Sequence, residues 1–413
     1  MKMICFSRVF IVGLLVLSQG VSAESAVPEP FRGFDEDSKY VIKYDDLTAL
    51  LKTVVVDVGR STREVARPSQ AKTGTMMKSK IKRTTANEAN RFYFETFKEN
   101  EAGRQLFINI RDSLEQLPSE VSLEYFSRDE QLAYWLNLYN VTLLTEVVDI
   151  YPKSNLKKYL EGKKSILSTQ LLTVAGVPLS LDDIQFTILK NNYDNNPLVI
   201  YGLYQGIIGG PNIRKTAYTG HDVWRALKNN ATEFINSNRG TYSSSDDSEV
   251  FEVSSFYDRN RVYFPNFNTD LSAHLLEYLE GSERTMLANA DTLKPDINDW
   301  TITSLSGNYR EFGGSIADNS AALLDSITST VVSSNEGPGG ATLATSVGYG
   351  SSALAQTALA VNRIDPDLLE HLIEINDKRN SANAINSSVT VEEWGQVPEQ
   401  AKEKTADEKK DQP

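Results

Sequence analysis

Asn137, Tyr139 and Asn140 fall within one helical turn of each other in the segment Tyr134-Trp135-Leu136-Asn137-Leu138-Tyr139-Asn140. Residues three apart share a helix face, so the two carboxamides point the same way. An asparagine inside a helix costs up to about 0.7 kcal/mol relative to alanine, so two of them together need compensation. Two uses would supply it. One is a polar face at the edge of a pocket, ready to contact a ligand. The other is a buried network that satisfies the backbone amides and carbonyls of nearby loops, and the reading leans toward this second use.

A second candidate is electrostatic. Between Arg60 and Arg83 stand Arg60, Arg63, Arg67, Lys72, Lys78, Lys80, Lys82 and Arg83 against one acid, Glu64, in a chain of net charge −13. Such a stretch could grip phosphate, sulfate or uronate groups, or it could pair with the protein's own acidic surface. Pro68 and Gly74 argue against one continuous helix through it.

Other chemistries find less support. The three histidines, His221, His274 and His371, are far apart, and no zinc-helix spacing occurs, so no metal and no cofactor are expected. His221 and Asp222 are adjacent at the start of a helical stretch, where side chains diverge, and capping by Asp222 or Thr219 fits better than a base with its orienting carboxylate. No Gly-x-Ser-x-Gly elbow is present. Asp35-Glu36-Asp37 lacks the glycine and distal glutamate of a calcium loop and reads as a solvated turn. Gly206, Gly209 and Gly210 lack the lysine and serine of a phosphate loop and read as a tight turn with positive φ.

The elements that must position these residues follow from periodicity. Tyr40 to Val58 fits a helix, and Asn87 to Lys98 and Gly103 to Leu117 look helical. Ser127-Arg128-Asp129-Glu130 is a capping box that opens a helix running to Tyr151-Pro152. Leu171 to Leu179 reads as a hairpin, and Ser180 caps a helix from Leu181 to Lys190. Leu198 to Tyr204 is a continuous apolar run, expected to be a strand covered on both faces. His221 to Asn236 and Ser272 to Leu279 read as helices, and Val250 to Tyr257 and Arg261 to Phe264 as strands. The fold class is therefore α+β: a helix-rich single core with a small mixed or antiparallel sheet around Leu198 to Tyr204 and Val250 to Phe264, and a low-complexity C-terminal extension.

The expected divisions are a signal peptide over 1–23, an N-terminal helix and basic loop over 24–86, and a core over 87–300. A Ser/Gly/Ala-rich extension with a terminal helix over 301–390 and a charged, disordered tail over 391–413 complete the chain. The signal peptide rests on Lys2 and Arg8, the apolar run Val9 to Leu17, and Val21-Ser22-Ala23, which predicts cleavage after Ala23. Cleavage there removes Cys5, the one cysteine. The mature chain would then have no thiol nucleophile, no disulfide and no transmembrane segment. A thiol-free exported chain, with a sequon at Asn140-Val141-Thr142 in a segment expected to be buried, points to a bacterial periplasm or exterior.

The helix signature from Tyr134 to Asn140 resembles that of the domain of unknown function 547 family. Val177-Pro178-Leu179-Ser180-Leu181-Asp182-Asp183-Ile184, Pro197 to Arg214 and Asp299-Trp300 resemble further family segments in the same order, so the resemblance spans roughly Tyr40 to Trp300. The chain departs from the family pattern where reactive side chains would stand. Gln185 and Phe186 replace Glu-His, Ile200 replaces a histidine, and Gln205 and Gly210 replace cysteines. A retained scaffold without those side chains implies a non-catalytic role, binding an envelope component or protein partner through Asn137, Tyr139, Asn140, Tyr201 and Gln205. Nucleic acid is not expected to bind so acidic a chain. Two alternatives stay open: a hydrolase or transferase using non-thiol chemistry with His221 or a carboxylate as base, and a surface interaction protein working through its extension and tail.

Overall fold

The computed structural model describes residues 27–61, 63, 89–99, 101–243, 249–305 and 363. The chain divides into two compact units, Met1–Arg363 and Ile364–Pro413, and every described residue belongs to the first. The expected signal peptide, the cations from Arg67 to Arg83, His371, the terminal helix and the charged tail lie outside the described residues.

The fold is α+β and is organised around one long helix. Helices α1 (Asp45–Val54), α2 (Phe94–Glu99) and α3 (Glu101–Glu120) precede α4 (Arg128–Ile150). From Gln131 to Val147 α4 is buried on nearly every side, so it forms the interior of the fold. Ser127 caps it, its hydroxyl accepting from the Glu130 amide at 3.3 Å. The reciprocal half of the capping box does not form. Glu130 instead accepts from the Ile42 amide at 2.9 Å and the Gly220 amide at 3.1 Å, joining two distant segments at the head of α4. A side chain at Gly220 would collide with the Glu130 carboxylate and backbone. Tyr134 anchors α3 by donating to the Leu114 carbonyl at 3.0 Å, and Phe31 meets Trp135 edge-on at 5.0 Å.

Beyond α4 come α5 (Lys157–Glu161) and a hairpin of β3 (Gln170–Val174) and β4 (Val177–Ser180), as the Ala175-Gly176 break predicts. Ser180 then caps a helical segment that is wound as a π-helix over Asp183–Leu189 and continues as α6 (Lys190–Asn192). The remaining elements are α7 (Val223–Ile235), β5 (Thr241–Ser243), β6 (Val250–Ser254), α8 (Ser255–Arg259), α9 (Phe267–Tyr278), α10 (Gly281–Asn289) and β7 (Thr292–Ile297). Strand β6 is central in a mixed sheet, antiparallel to β5 and parallel to β7. A separate pair joins β1 (Val55–Val56) to β2 (Arg91–Phe92).

Six expectations change. Pro197–Gly202 forms a 3-10 helix, not a strand, although all of 198–204 is buried. The local signal is Asn196-Pro197: the asparagine side chain accepts from the Leu198 amide at 3.0 Å, and the proline ring fixes a helical φ. The strand from Val250 stops at Ser254, whose hydroxyl accepts from the Phe256 amide and opens α8, and Arg261–Tyr263 is a 3-10 turn, not a strand. The sheet accordingly forms from β5, β6 and β7 and excludes Leu198 to Tyr204. The helices expected over Tyr40–Val58 and Asn87–Lys98 are shorter, because Val55–Val56 and Arg91–Phe92 pair as strands.

Contacts run across both expected borders of the core. Thr303 donates through its amide to the Gly206 carbonyl, and the Phe92 amide donates to the Thr303 carbonyl. Arg363 lies buried with both oxygens of buried Asp46 within 3.1 Å, and also donates to the Lys43 and Ile110 carbonyls.

Candidate functional site

The paired asparagines of α4 are each engaged twice. Asn137 donates to the Tyr218 carbonyl at 2.8 Å and accepts from the Tyr218 amide at 2.9 Å. Asn140 donates to the Gly202 carbonyl at 2.8 Å and accepts from the Tyr204 amide at 2.9 Å. A carboxamide offers a carbonyl acceptor and an N–H donor as a peptide unit does, with one N–H more, so each side chain acts as a piece of backbone paired to a loop. Of the two uses open to this face, the structure shows the backbone network.

The other residues assigned to that face are closed in. Tyr201 is fully buried, and its hydroxyl lies 2.9 Å from His274 Nε2 and 3.2 Å from the Tyr257 hydroxyl, the latter donated by Tyr201. The His274 ring stacks on Tyr201 at 5.7 Å, and burial pushes its pKa down to about 4. Tyr139 is also fully buried, and burial raises its hydroxyl well above the ordinary range. Gln205 and Ile200 are buried as well. Gln185, at a position where the family resemblance implies a reactive residue, donates to the Asn260 side chain, and Phe186 stacks under the Arg259 guanidinium at 5.6 Å. Of the positions of the expected reactive centre, Gln185, Ile200 and Gln205 are core and Phe186 is half-buried.

The glycine turn is only partly as expected. Gly206 has φ +74°, but Gly209 is required for a different reason: a Cβ there would stand 2.7 Å from the Asp299 carbonyl oxygen, to which the Gly209 amide donates.

Two members of the basic stretch are described. Arg60 is exposed and pairs with Glu280 at 3.0 Å. Arg63 donates to the Thr241 and Ile235 carbonyls and the Thr241 hydroxyl, tying α7 to β5, and burial pushes its guanidinium down from the ordinary value.

Arg60 also borders a cleft of about 380 Å³. Its floor is made of asparagines. Asn212 accepts from the Asn90 amide at 2.9 Å, Asn90 donates to the Ile213 carbonyl at 2.8 Å, and Asn230 donates to the Tyr201 and Asn212 carbonyls. Around this floor stand Arg214, Lys215, Thr216 and Asn229, with Asp57 and Glu233 as the acids. Asp57 is turned back to accept from the Gly59 amide, and Glu233 pairs with buried Arg239; burial raises the Glu233 carboxyl despite that partner. The sequence reading missed this cleft. The signals available were Asn229-Asn230 inside a helix, subject to the same cost argument as Asn137, and the polar run Asn212 to Thr216 after an apolar stretch.

His221 is exposed. Burial would raise the Asp222 carboxyl, but bonds from Thr219, Arg214 and Arg225 hold it below the usual range; it accepts from Thr219 within the turn, and the expected side-chain cap of α7 does not form. Among the described residues no cluster of three His, Cys, Asp or Glu side chains could hold a metal ion, and no helix is long and apolar enough to cross a membrane.

Residues 123–235, which hold α4 with its paired asparagines, match the model of a family described as protein of unknown function, DUF547. That segment belongs to the DUF547 family. The match is narrower than the resemblance from Tyr40 to Trp300: it includes the signature helix, the Ser-Leu-Asp-Asp-Ile stretch and Pro197 to Arg214, and leaves Asp299-Trp300 outside. Searches of curated proteins and of solved structures found no match. The DUF547 segment supplies Asn212 to Thr216 and the α7 wall of the cleft, whereas Asp57, Gly59, Arg60 and Asn90 come from the chain before it.

Proposed function

We propose that this chain is an exported bacterial protein of the cell envelope that works by binding and not by turnover. The observation that carries the reading is the state of the signature face. Asn137 and Asn140 each bond loop backbone through a donor and an acceptor, and Ile200, Tyr201 and Gln205 are buried. A reaction centre needs a group free to approach a substrate, and that face offers none. Export rests on the basic start, apolar run and small residues up to Ala23. Binding then falls to the open surface, where the cleft beside α7 is a concave feature whose lining includes unengaged polar groups.

The binding reading is tested by presenting the purified full chain with panels of envelope glycans, peptides and phosphates. Retention of at least one without chemical change is expected, and turnover of any of them would sink it. Export is tested separately, by fractionating bacteria that express the chain and sequencing its N-terminus. A start at Glu24 in the periplasm or medium is expected; an intact Met1 in the cytoplasm would overturn it.

A further inference from the structure

We infer that the cleft between the DUF547 segment and the chain preceding it is a binding site for a sugar-sized ligand bearing an oxyanion, a carboxylate or a phosphate. The inference rests on the binding reading above and names the ligand class and the residues.

The first argument is electrostatic. Three cations, Arg60, Arg214 and Lys215, face the cleft against two acids. Glu233 is matched by Arg239, and Asp57 accepts from the Gly59 amide through one oxygen, so Asp57 is the one lining carboxylate without an ion pair among the described residues. The cations are not equally engaged. Lys215 has no ion pair among the described residues. Arg214 lies 3.5 Å from Asp222 and over the Tyr218 ring at 4.6 Å, yet its Nη1 is buried without a hydrogen-bond partner among the described residues. Arg60 holds Glu280 through a pair whose side chains are both more than 60% exposed, the kind worth little and readily exchanged. An incoming oxyanion would find a fixed guanidinium, a free ammonium, and a second guanidinium able to swing in.

The second argument is chemical and geometric. Beside the cations stand the Thr216 hydroxyl and the exposed Asn229 carboxamide, neither bonded by its side chain among the described residues. These groups both donate and accept, which suits the hydroxyls of a sugar ring. The Asn90–Asn212–Asn230 floor is locked by its own hydrogen bonds, so the site is formed before a ligand arrives. At about 380 Å³ the cleft has the size of a small-molecule site and not of a protein interface.

The test is calorimetric titration of the full chain with four probes: galacturonic acid, glucose 6-phosphate, glucose and inorganic phosphate. Saturable binding of an acidic sugar, weakened by salt and exceeding both glucose and inorganic phosphate, is expected. The stronger of the two acidic sugars identifies the oxyanion. Lys215→Glu should weaken that binding by about tenfold or more, and Asn229→Asp should weaken it as well. Neither side chain holds the fold, so the unfolding midpoint should stay in place. Arg214→Gln is the less clean variant, because Arg214 also packs on Tyr218. Glucose binding as well as the acids, affinity indifferent to both Lys215→Glu and Asn229→Asp, or no saturation by either acidic sugar at millimolar concentration would each overturn the site. The two readings fail separately. An empty cleft in a chain that still retains another envelope component removes only this inference, whereas turnover of a probe removes the binding reading itself.

Discussion

Two groups of asparagines, the pair on α4 and the set around the cleft, have the same chemistry and opposite uses. Asn137 and Asn140 each have a donor and the acceptor oxygen taken by backbone. In the cleft, the side chains of Asn90, Asn212 and Asn230 also bond to backbone, but those of Asn229 and the neighbouring Lys215 and Thr216 have no bond among the described residues. A polar side chain in a helix is thus no guide to function by itself. What decides is whether its hydrogen-bonding groups are already satisfied.

That contrast can be broken in four places. The largest effect is expected at Asn137→Ala. It strands a buried amide and carbonyl of Tyr218, at about 2 kcal/mol each, so denaturant unfolding should show a loss of about 4 kcal/mol with no change in ligand binding at the cleft. A loss below about 1 kcal/mol would mean the pairing is not structural.

Next comes His274, which closes the Tyr201 side of the same face. Its folded pKa of about 4 lies below the ordinary value of 6.5, so the ring is neutral in the fold. The unfolded chain binds the extra proton, and stability is therefore full above pH 6.5 and falls as the pH drops from there through 4. The loss should approach about 3 kcal/mol. Comparing His274→Gln with the parent across that window isolates this contribution from the carboxylates; superimposable pH profiles would refute it.

Glu130→Gln should cost about 2 kcal/mol, because a carboxamide cannot accept through both of its ends, so one of the Ile42 and Gly220 amides would face an N–H. An increase in stability would show that burial of the carboxylate, which raises its pKa, outweighs those two bonds. Smallest of all, Lys215→Gln and Asn229→Ala should leave stability within about 0.5 kcal/mol, since each removes only unengaged groups. A larger loss in either would place that residue with the structural asparagines.

The sequence made α4 legible, from its cap at Ser127 to its end at Tyr151-Pro152, because both signals are local. The hairpin turn at Ala175-Gly176 was legible for the same reason. The run Leu198 to Tyr204 was misread because an apolar stretch of that length suits a buried strand or a buried helical turn equally, and Asn196-Pro197 carried the deciding signal. Glu130 was read as half of a capping box, since nothing near it in sequence announces Ile42 or Gly220. The cleft depends on Asn90 meeting Asn212, a contact between residues far apart along the chain. Periodicity has no access to such a pairing.

The ion pair of Arg363 with Asp46 determines where this chain can be shortened safely. A stop codon at Thr301 would strip away the segment bonded to Gly206 and Phe92, and would leave a lone carboxylate sealed inside the N-terminal part of the body. Ending the chain just past Arg363 keeps that charge matched, so dissection of the remaining tail should begin there.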